Sequence, residues 1–329
     1  MKVLIYSAHS FEKPYFNNCF KHQITMTSKS LSMKTVALSK GFQAIAVFTG
    51  DTVNDEVIQA LAKNDVMFIA TRSVGYNHID LLSAYNNGIV VANVPAYSPY
   101  SVSEHAIALL LTLVRKIIPG QKLFTQQDFR LDQLVGFDLH GKTAGIIGCG
   151  KIGKNIARIM NGFGCKLIAY DSKLDIEADS FISFKPLREV LRLSDILFLS
   201  CPLNNNTHHL IGETEMLEMK KSGIIINVAR GAVIDTEALV KVLESGHLSG
   251  VGLDVYEYEK GLYFHDFRNQ KINKPFFKKL QRFDNVILTS HQGFLTTEAI
   301  IGIVETTCKN LDEWESQNKS SNDLNLNIP

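Results

Sequence analysis

The sequence predicts an α/β protein built on parallel sheets with helices on both faces, and three observations carry that prediction. Short apolar runs alternate with amphipathic stretches along most of the 329 residues. Several runs stop abruptly at a glycine, a proline or a charged residue, as buried parallel strands do when they deliver loops to one rim. One stretch, TAGIIGCGKIGKNIARIMNGFGCKLIAYD from Thr143 to Asp171, reads as strand, glycine turn, helix, strand and terminal acid. The length exceeds one typical core, so two domains are expected.

In the first hundred residues the strand candidates are Val3 to Tyr6, Ala44 to Thr49, Val66 to Ala70 and Ile89 to Val94. Helical spacing marks Asp55 to Lys63 and Asp80 to Asn86 between them. Pro95 and Pro99 then punctuate the chain. Ser101 to Lys116 follows as a helix, with Ser101 and Glu104 in capping-box spacing and a long apolar face suited to packing between domains or against a second subunit. Residues 119–142 are mixed and polar.

The central stretch comes next. Ala144 to Ile147 is a buried strand that halts at Gly148-Cys149-Gly150, and Ile152, Ile156, Met160 and Phe163 recur at helical spacing. The three glycines serve different ends. Gly148 permits the tight turn, Gly150 lets the backbone approach a pyrophosphate, and Gly153 allows helix and strand to pack closely. The helix start at Lys151 and Ile152 offers unpaired N–H groups to phosphate. Asp171, at the end of the second strand, accepts hydrogen bonds from a ribose diol and repels a 2′-phosphate, so NAD is expected rather than NADP.

Beyond Asp171 the alternation resumes. Ile196 to Cys201 ends at Pro202, Ile224 to Val228 ends at Ala229-Arg230-Gly231, and Val251 to Leu253 ends at Asp254, with a helix over Thr236 to Ser245. Residues 256–284 form a polar, aromatic-rich excursion. Val286 to Thr289 is a last strand ending at Ser290-His291. The tail after Trp314 is polar and expected to be loosely ordered, with no apparent role.

Composition excludes several classes. A hydrophobic content of 45% and a charged content of 20% are those of a globular protein, and a net charge of +1 gives no attraction to nucleic acid or an anionic membrane. Five cysteines (19, 149, 165, 201 and 308), an odd number with no CxxC, point to neither a disulfide framework nor a zinc site. The N-terminal KVLIYSAHS reads as a first strand rather than a signal peptide. The main apolar run, Ile107 to Val114, falls short of the ~18–20 residues that span a bilayer. A cytosolic chain is expected.

Ligands of open parallel sheets bind beyond the carboxyl ends of the strands, where Asp171, Pro202, Arg230, Asp254 and His291 all fall. Their types suit hydride transfer to a 2-keto acid. A planar guanidinium, Arg230, grips a carboxylate and polarises the ketone. An acid that titrates near neutrality, His291, protonates the developing alkoxide. A carboxylate that orients the imidazole and favours its charged form completes the set, and spacing alone leaves Glu259 and Glu257 equally eligible. The turn Thr71 to Asn77 offers consecutive N–H groups around Gly75 as an anion cradle, or is an ordinary strand-to-helix turn capped by Asn77. Arg72 is either a substrate contact or a solvated charge. His208 and His209 are adjacent, an arrangement that rarely converges on one ion, and no acidic or cysteine partner is spaced to help. No metal is expected. His9, His22, His105 and His140 receive no role.

GCGKIG with Asp171, VARGAVID around Arg230, GLDVYEYE with Asp254 and Glu259, and SHQGF with His291 resemble the D-isomer-specific 2-hydroxyacid dehydrogenases over nearly the whole chain. VPAYSPYSVSEHAIALLLTL, YEYEKGLYFHDFRN and HQGFLTTEA resemble the D-lactate dehydrogenase branch of that family. The resemblance implies two Rossmann-like parallel-sheet domains. One is a flavodoxin-like catalytic domain of residues 1–98 and 298–329, and the other is an NAD-binding domain of residues 99–297. It implies Arg230 as the substrate-binding arginine, Glu259 rather than Glu257 as the glutamate, and His291 as the proton donor. Lys151, Ile152, Asp171, Cys201, Pro202, Thr207, Val228, Ala229 and Asp254 match positions lining the NAD site, with His209 near a family histidine by the cofactor. Val74 and Gly75 match the loop that holds the substrate carboxylate, and Tyr97 and Phe294 match aromatics near its side-chain pocket. The activity implied is reversible NADH-dependent reduction of pyruvate to D-lactate. Phenylpyruvate and 2-oxoisocaproate are the alternative substrates, and an NADH-sensing corepressor-like protein is the alternative from another class. A homodimer or tetramer is implied, with Ser101 to Lys116 at the dimer interface and closure of the two domains over the substrate.

Overall fold

The computed structural model describes every residue except 18, 20, 173–178 and 326–329. The chain forms two compact units, one of Met1–Ser98 with Leu295–Pro329 and the other of Pro99–Phe294.

The first unit is a five-stranded parallel sheet of β1 (Lys2–Ile5), β2 (Gln23–Met26), β3 (Ala44–Val47), β4 (Phe68–Thr71) and β5 (Val90–Ala92). Its order is β2-β1-β3-β4-β5, the 2-1-3-4-5 arrangement of flavodoxin-like sheets. β1, β3 and β4 are apolar because helices cover both faces, and their residues from Val3 to Thr71 are almost wholly buried. One face packs on Val57, Ile58 and Leu61 of the helix Asp55–Lys63. The other packs on Val304, Leu311 and Trp314 of the helix Thr297–Gln317. β2 carries no apolar signature: it is an edge strand whose residues are all partly or fully exposed, so its sequence QITM is not selected for burial.

Three expectations change in this unit. Arg72 is neither solvated nor presented to a ligand: it is 1% exposed, its Nε lies 3.1 Å from Glu12 Oε1, and it donates to the carbonyls of Tyr6 and Ser7. Cys19 and Cys308 form a disulfide with a Cα–Cα distance of 5.8 Å, a pairing that 289 residues of separation hide from any spacing argument. The tail does not hang free. Asp323 bridges to Ala92, the Leu324 N–H donates to Val91 O, and Asn325 Nδ2 donates to Ile89 O, so the tail closes the β5 edge that would otherwise expose unpaired backbone groups.

The second unit is a seven-stranded parallel sheet of β6 (Thr143–Ile147), β7 (Lys166–Tyr170), β8 (Ile182–Phe184), β9 (Ile196–Leu199), β10 (Gly223–Asn227), β11 (Leu248–Leu253) and β12 (Val286–Leu288). The order β12-β11-β10-β9-β6-β7-β8, counted from β6, is the 3-2-1-4-5-6 order of a Rossmann sheet with one strand added. Its switch point lies between β6 and β9.

The helix of Pro99–Val114 starts two residues before the expected cap, because the fixed φ of proline suits a first helical turn. Ser101 therefore lies inside the helix, buried, rather than at its N-terminal boundary. The apolar face of this helix packs within its own unit. A Cβ at Gly252 would touch Leu109, and one at Gly250 would touch Leu113, so these two glycines let helix and sheet approach. The stretch expected to be merely polar contains a further helix, Ile117–Thr125, with no buried residue. Ile117, Ile118, Phe124, Phe129, Leu131 and Val135 are all more than half exposed there.

Candidate active site

The carboxyl ends of the second unit's strands carry the candidate residues. At the end of β6, Gly148 has φ +90°, a left-handed value open to glycine, and a Cβ there would lie 2.5 Å from the Cys201 N beyond β9. That crowding marks the switch point. A Cβ at Gly153 would strike the Gly148 carbonyl, so the helix Lys151–Gly162 can sit against the turn only with glycine there. A Cβ at Gly150 would meet nothing within 4 Å, leaving open space before the helix N-terminus. Asp171, one residue past β7, accepts from the Cys149 N–H at 2.8 Å and ties the acid to the glycine turn. Lys151 is exposed and Ile152 partly buried, with the Ile152 carbonyl accepting from Ser103 Oγ at 3.1 Å. This cradle, with its positive helix end and anchored acid, fits a dinucleotide.

Cys201 is buried beside this turn, and burial pushes its thiol up to about 11. Cys149, Cys165 and Cys201 lie outside the disulfide and are buried, as expected of small apolar fillers. Pro202 is exposed, and Thr207 Oγ1 donates to its carbonyl at 2.6 Å, closing the loop after β9.

Past β10, Val228 and Ala229 are buried, and Asn227 holds the turn by accepting from the Ala229 N–H and donating to the Arg230 carbonyl. A Cβ at Gly231 would run into the backbone of Tyr256 and Glu257, so glycine is required directly after the arginine. Arg230 is partly exposed. Its guanidinium donates to the Ala229 carbonyl at 2.7 Å, and among the described residues no carboxylate pairs with it. Four of its five N–H donors remain for a ligand.

His291 lies just past β12 with φ +55°, a strained value for a non-glycine residue and one that concentrates at functional sites. Its Nδ1 is 2.8 Å from Glu259 Oε1, and the other oxygen of Glu259 accepts from the Tyr256 N–H at 3.0 Å. The imidazole is held on one side by a carboxylate that is itself anchored. Glu257 points elsewhere: it lies 2.8 Å from His209 Nε2 and accepts from the Thr236 N–H.

Asp254 is 2% exposed and organises the His291 loop. Its oxygens accept from the Gln292 N–H, the Gly293 N–H and Thr289 Oγ1, and its carbonyl accepts from the His291 N–H. His105 Nε2 approaches the same carboxylate at 3.2 Å and Thr289 Oγ1 at 3.0 Å. Burial alone would raise the Asp254 pKa, but hydrogen bonds from His105 and Thr289 and the charges of His105 and His291 bring it down to about 2. His105 carries no sequence signal for this role. A histidine on an apolar helix face looks structural until Asp254 is brought beside it.

Phe294, three residues beyond His291, is buried in this unit. Val74, Gly75 and Tyr97 belong to the first unit. There the carbonyls of Val74 and Gly75 accept from Asn93 Nδ2 and Ser73 Oγ, while their N–H groups have no acceptor among the described residues. The next helix is capped by Asp80, not Asn77. Tyr97 is partly exposed, with Gly302 near its Cα.

Residues 107–293 match the family model described as D-isomer specific 2-hydroxyacid dehydrogenase, NAD binding domain. The chain is 43% identical to 2-hydroxyacid dehydrogenase homolog 1 of Schizosaccharomyces pombe, over 97% of each chain. It is 37% identical to D-lactate dehydrogenase of Escherichia coli, over 98% of this chain and 100% of that one. It is 38% identical to an aromatic 2-oxoacid reductase of Clostridium sporogenes, over 98% of each. Among solved structures, apo D-lactate dehydrogenase of Escherichia coli superposes with a TM-score of 0.88 at 35% identity, covering 98% of this chain and 100% of that one. D-lactate dehydrogenase of Aquifex aeolicus complexed with NAD and lactic acid superposes with a TM-score of 0.87 at 32% identity, over 95% of each chain. No helix among the described residues is long and apolar enough to cross a membrane. The glycine cradle at the switch point, the family model and the NAD-complexed neighbour agree: this chain belongs to the D-isomer specific 2-hydroxyacid dehydrogenase family, and its cofactor is NAD.

Proposed function

We propose that this protein is a D-lactate dehydrogenase, reducing pyruvate to D-lactate with NADH. The observation that carries the reading is the His291–Glu259 pair on the same strand rim as Arg230, an arginine with donors to spare. NADH, held by the Gly148–Gly153 turn with Asp171 at its ribose, supplies the hydride. Lys151, Ile152, Cys201, Pro202, Thr207, Val228, Ala229 and Asp254 complete the proposed cofactor site.

In this reading Arg230 grips the pyruvate carboxylate and polarises the C2 carbonyl, and in the first unit the backbone N–H groups of Val74 and Gly75 are proposed as carboxylate donors. As the hydride reaches C2, negative charge builds on the carbonyl oxygen. His291 gives up a proton to that oxygen from Nε2, because Nδ1 faces Glu259. Glu259 keeps the ring in that orientation. Tyr97 of the first unit and Phe294 of the second are each proposed as substrate side-chain contacts. Purified protein given pyruvate should oxidise NADH and yield D-lactate; no oxidation, or L-lactate as product, overturns the reading.

The likeness to an aromatic 2-oxoacid reductase favours a second reading, in which the preferred substrate is a bulkier acid such as phenylpyruvate or 2-oxoisocaproate. Ranking kcat/KM over a 2-keto-acid series separates the two. We also infer a cytosolic homodimer; the six apolar side chains from Ile117 to Val135 that are each more than half exposed support the dimer.

A further inference from the structure

A cluster outside the His291 pair has the chemistry of a metal site. His208, His209 and Glu257 place one ligand atom each within 4.8 Å of one another. Adjacent residues ordinarily aim their side chains apart. Here His209 has φ +52°, and the left-handed backbone brings the two imidazoles into a stack with centroids 4.1 Å apart and planes at 26°. The backbone is pinned in that form, since the His208 N–H donates to Asn204 O and the His209 N–H to Ala232 O. The acidic partner missing from the local sequence arrives from 48 residues away as Glu257, which lies 2.8 Å from His209 Nε2.

A second feature points the same way. Histidines that ligate metals through one ring nitrogen turn the other toward a carboxylate, which fixes the tautomer and raises ligand basicity. His209 directs Nε2 at Glu257, and its Nδ1 faces Asp235 Oδ2 at 3.8 Å. Asp235 and Glu257 are both held by the start of the helix Thr236–Glu244, through the Ala238 and Thr236 N–H groups. His208 is exposed, so an ion reaches the cluster from solvent.

We propose that His208, His209 and Glu257 bind a borderline divalent cation, Zn²⁺ or Cu²⁺, with water in the fourth position. Two imidazoles and a carboxylate form a donor set suited to zinc, whereas Mg²⁺ and Ca²⁺ demand more oxygen ligands than the cluster offers. The ion takes the place of the proton shared by His209 and Glu257, so that proton leaves to buffer.

The test is calorimetric titration of ZnCl₂ into the intact protein with its Cys19–Cys308 disulfide in place, beside His208→Ala and His291→Ala. The expected result is one saturable Zn²⁺ per chain, at least about tenfold weaker in His208→Ala, since even loss of an outer-shell partner costs that much. His291→Ala should keep the wild-type affinity. Co²⁺ should develop tetrahedral visible absorption with the wild type and with His291→Ala, but not with His208→Ala. Unchanged melting of His208→Ala shows that its fold is intact. No saturable Zn²⁺ binding, equal binding in His208→Ala, or loss only in His291→Ala overturns the proposal. None of these outcomes depends on which keto acid the enzyme reduces.

Discussion

His291 Nδ1 lies 2.8 Å from Glu259 Oε1, across 32 residues of chain, and the carboxylate is fastened in turn to the Tyr256 N–H. An imidazole held this way presents one nitrogen to the substrate in a single orientation. Replacing His291 with Ala should lower kcat by about 10²–10⁴-fold, the usual contribution of a positioned proton donor, with a smaller effect on KM. Glu259→Gln keeps the shape but loses the charge, and should fall between the two. Steady-state kinetics with pyruvate provide the check. Wild-type kcat in His291→Ala would remove the histidine from the chemistry.

Arg230 should behave differently. Its guanidinium meets no carboxylate among the described residues, so its fork is free for a carboxylate of the substrate. Arg230→Ala should raise KM and lower kcat together. Arg230→Lys should recover little, because a single ammonium cannot reproduce a bidentate grip. A KM for pyruvate unchanged in both variants would contradict the assignment.

Asp254 links the site to stability. Its carboxyl is held down at about 2, below its ordinary 3.8. A depressed carboxyl stabilises the fold above its unfolded pKa and loses that contribution as pH falls through the folded value. The contribution is about 2 kcal/mol near neutral pH and should fade between about pH 4 and pH 2. Denaturant unfolding of wild type and Asp254→Asn across that window measures it. A stability difference that stays constant with pH would show that the carboxyl is not depressed.

The buried Arg72–Glu12 pair makes a prediction of opposite character. Arg72→Met leaves Glu12 as an uncompensated buried charge and should cost about 3–5 kcal/mol, while the double change with Glu12→Gln should recover much of that loss. Chemical denaturation of the four proteins completes the cycle. If Arg72→Met impaired catalysis at undiminished stability, a substrate role would return.

Much of the fold was legible in the sequence where burial was complete. β1, β3, β4, β6 and β9 are apolar at nearly every position because helices cover both faces, and the helix Asp55–Lys63 announces itself by its periodicity. Legibility failed where burial was partial. β2 and β8 lie at sheet edges with mixed exposure, and short helices such as Leu187–Leu193 and Glu213–Glu218 hold too few turns for a period. The candidate site was legible only as residue types that follow strand ends. Its partners were not. His105 beside Asp254 and Glu257 beside His209 join segments that no local pattern relates.

By itself the sequence determined the two parallel sheets, the glycine turn at Gly148–Gly153 and the order in which Arg230, Asp254 and His291 reach a strand end. Those features depend on hydrophobic period and on the sterics of single residues, which are local properties. Spacing left Glu257 and Glu259 level and the family resemblance favoured Glu259, which the tertiary structure brings to His291; only the tertiary structure decided that Arg72 is buried against Glu12, that Cys19 joins Cys308, and that the polar tail closes the β5 edge. Each of those is a choice of partner between distant segments. Such choices follow from where whole elements pack, and a carboxylate two residues along a loop can be turned by that packing toward a different histidine.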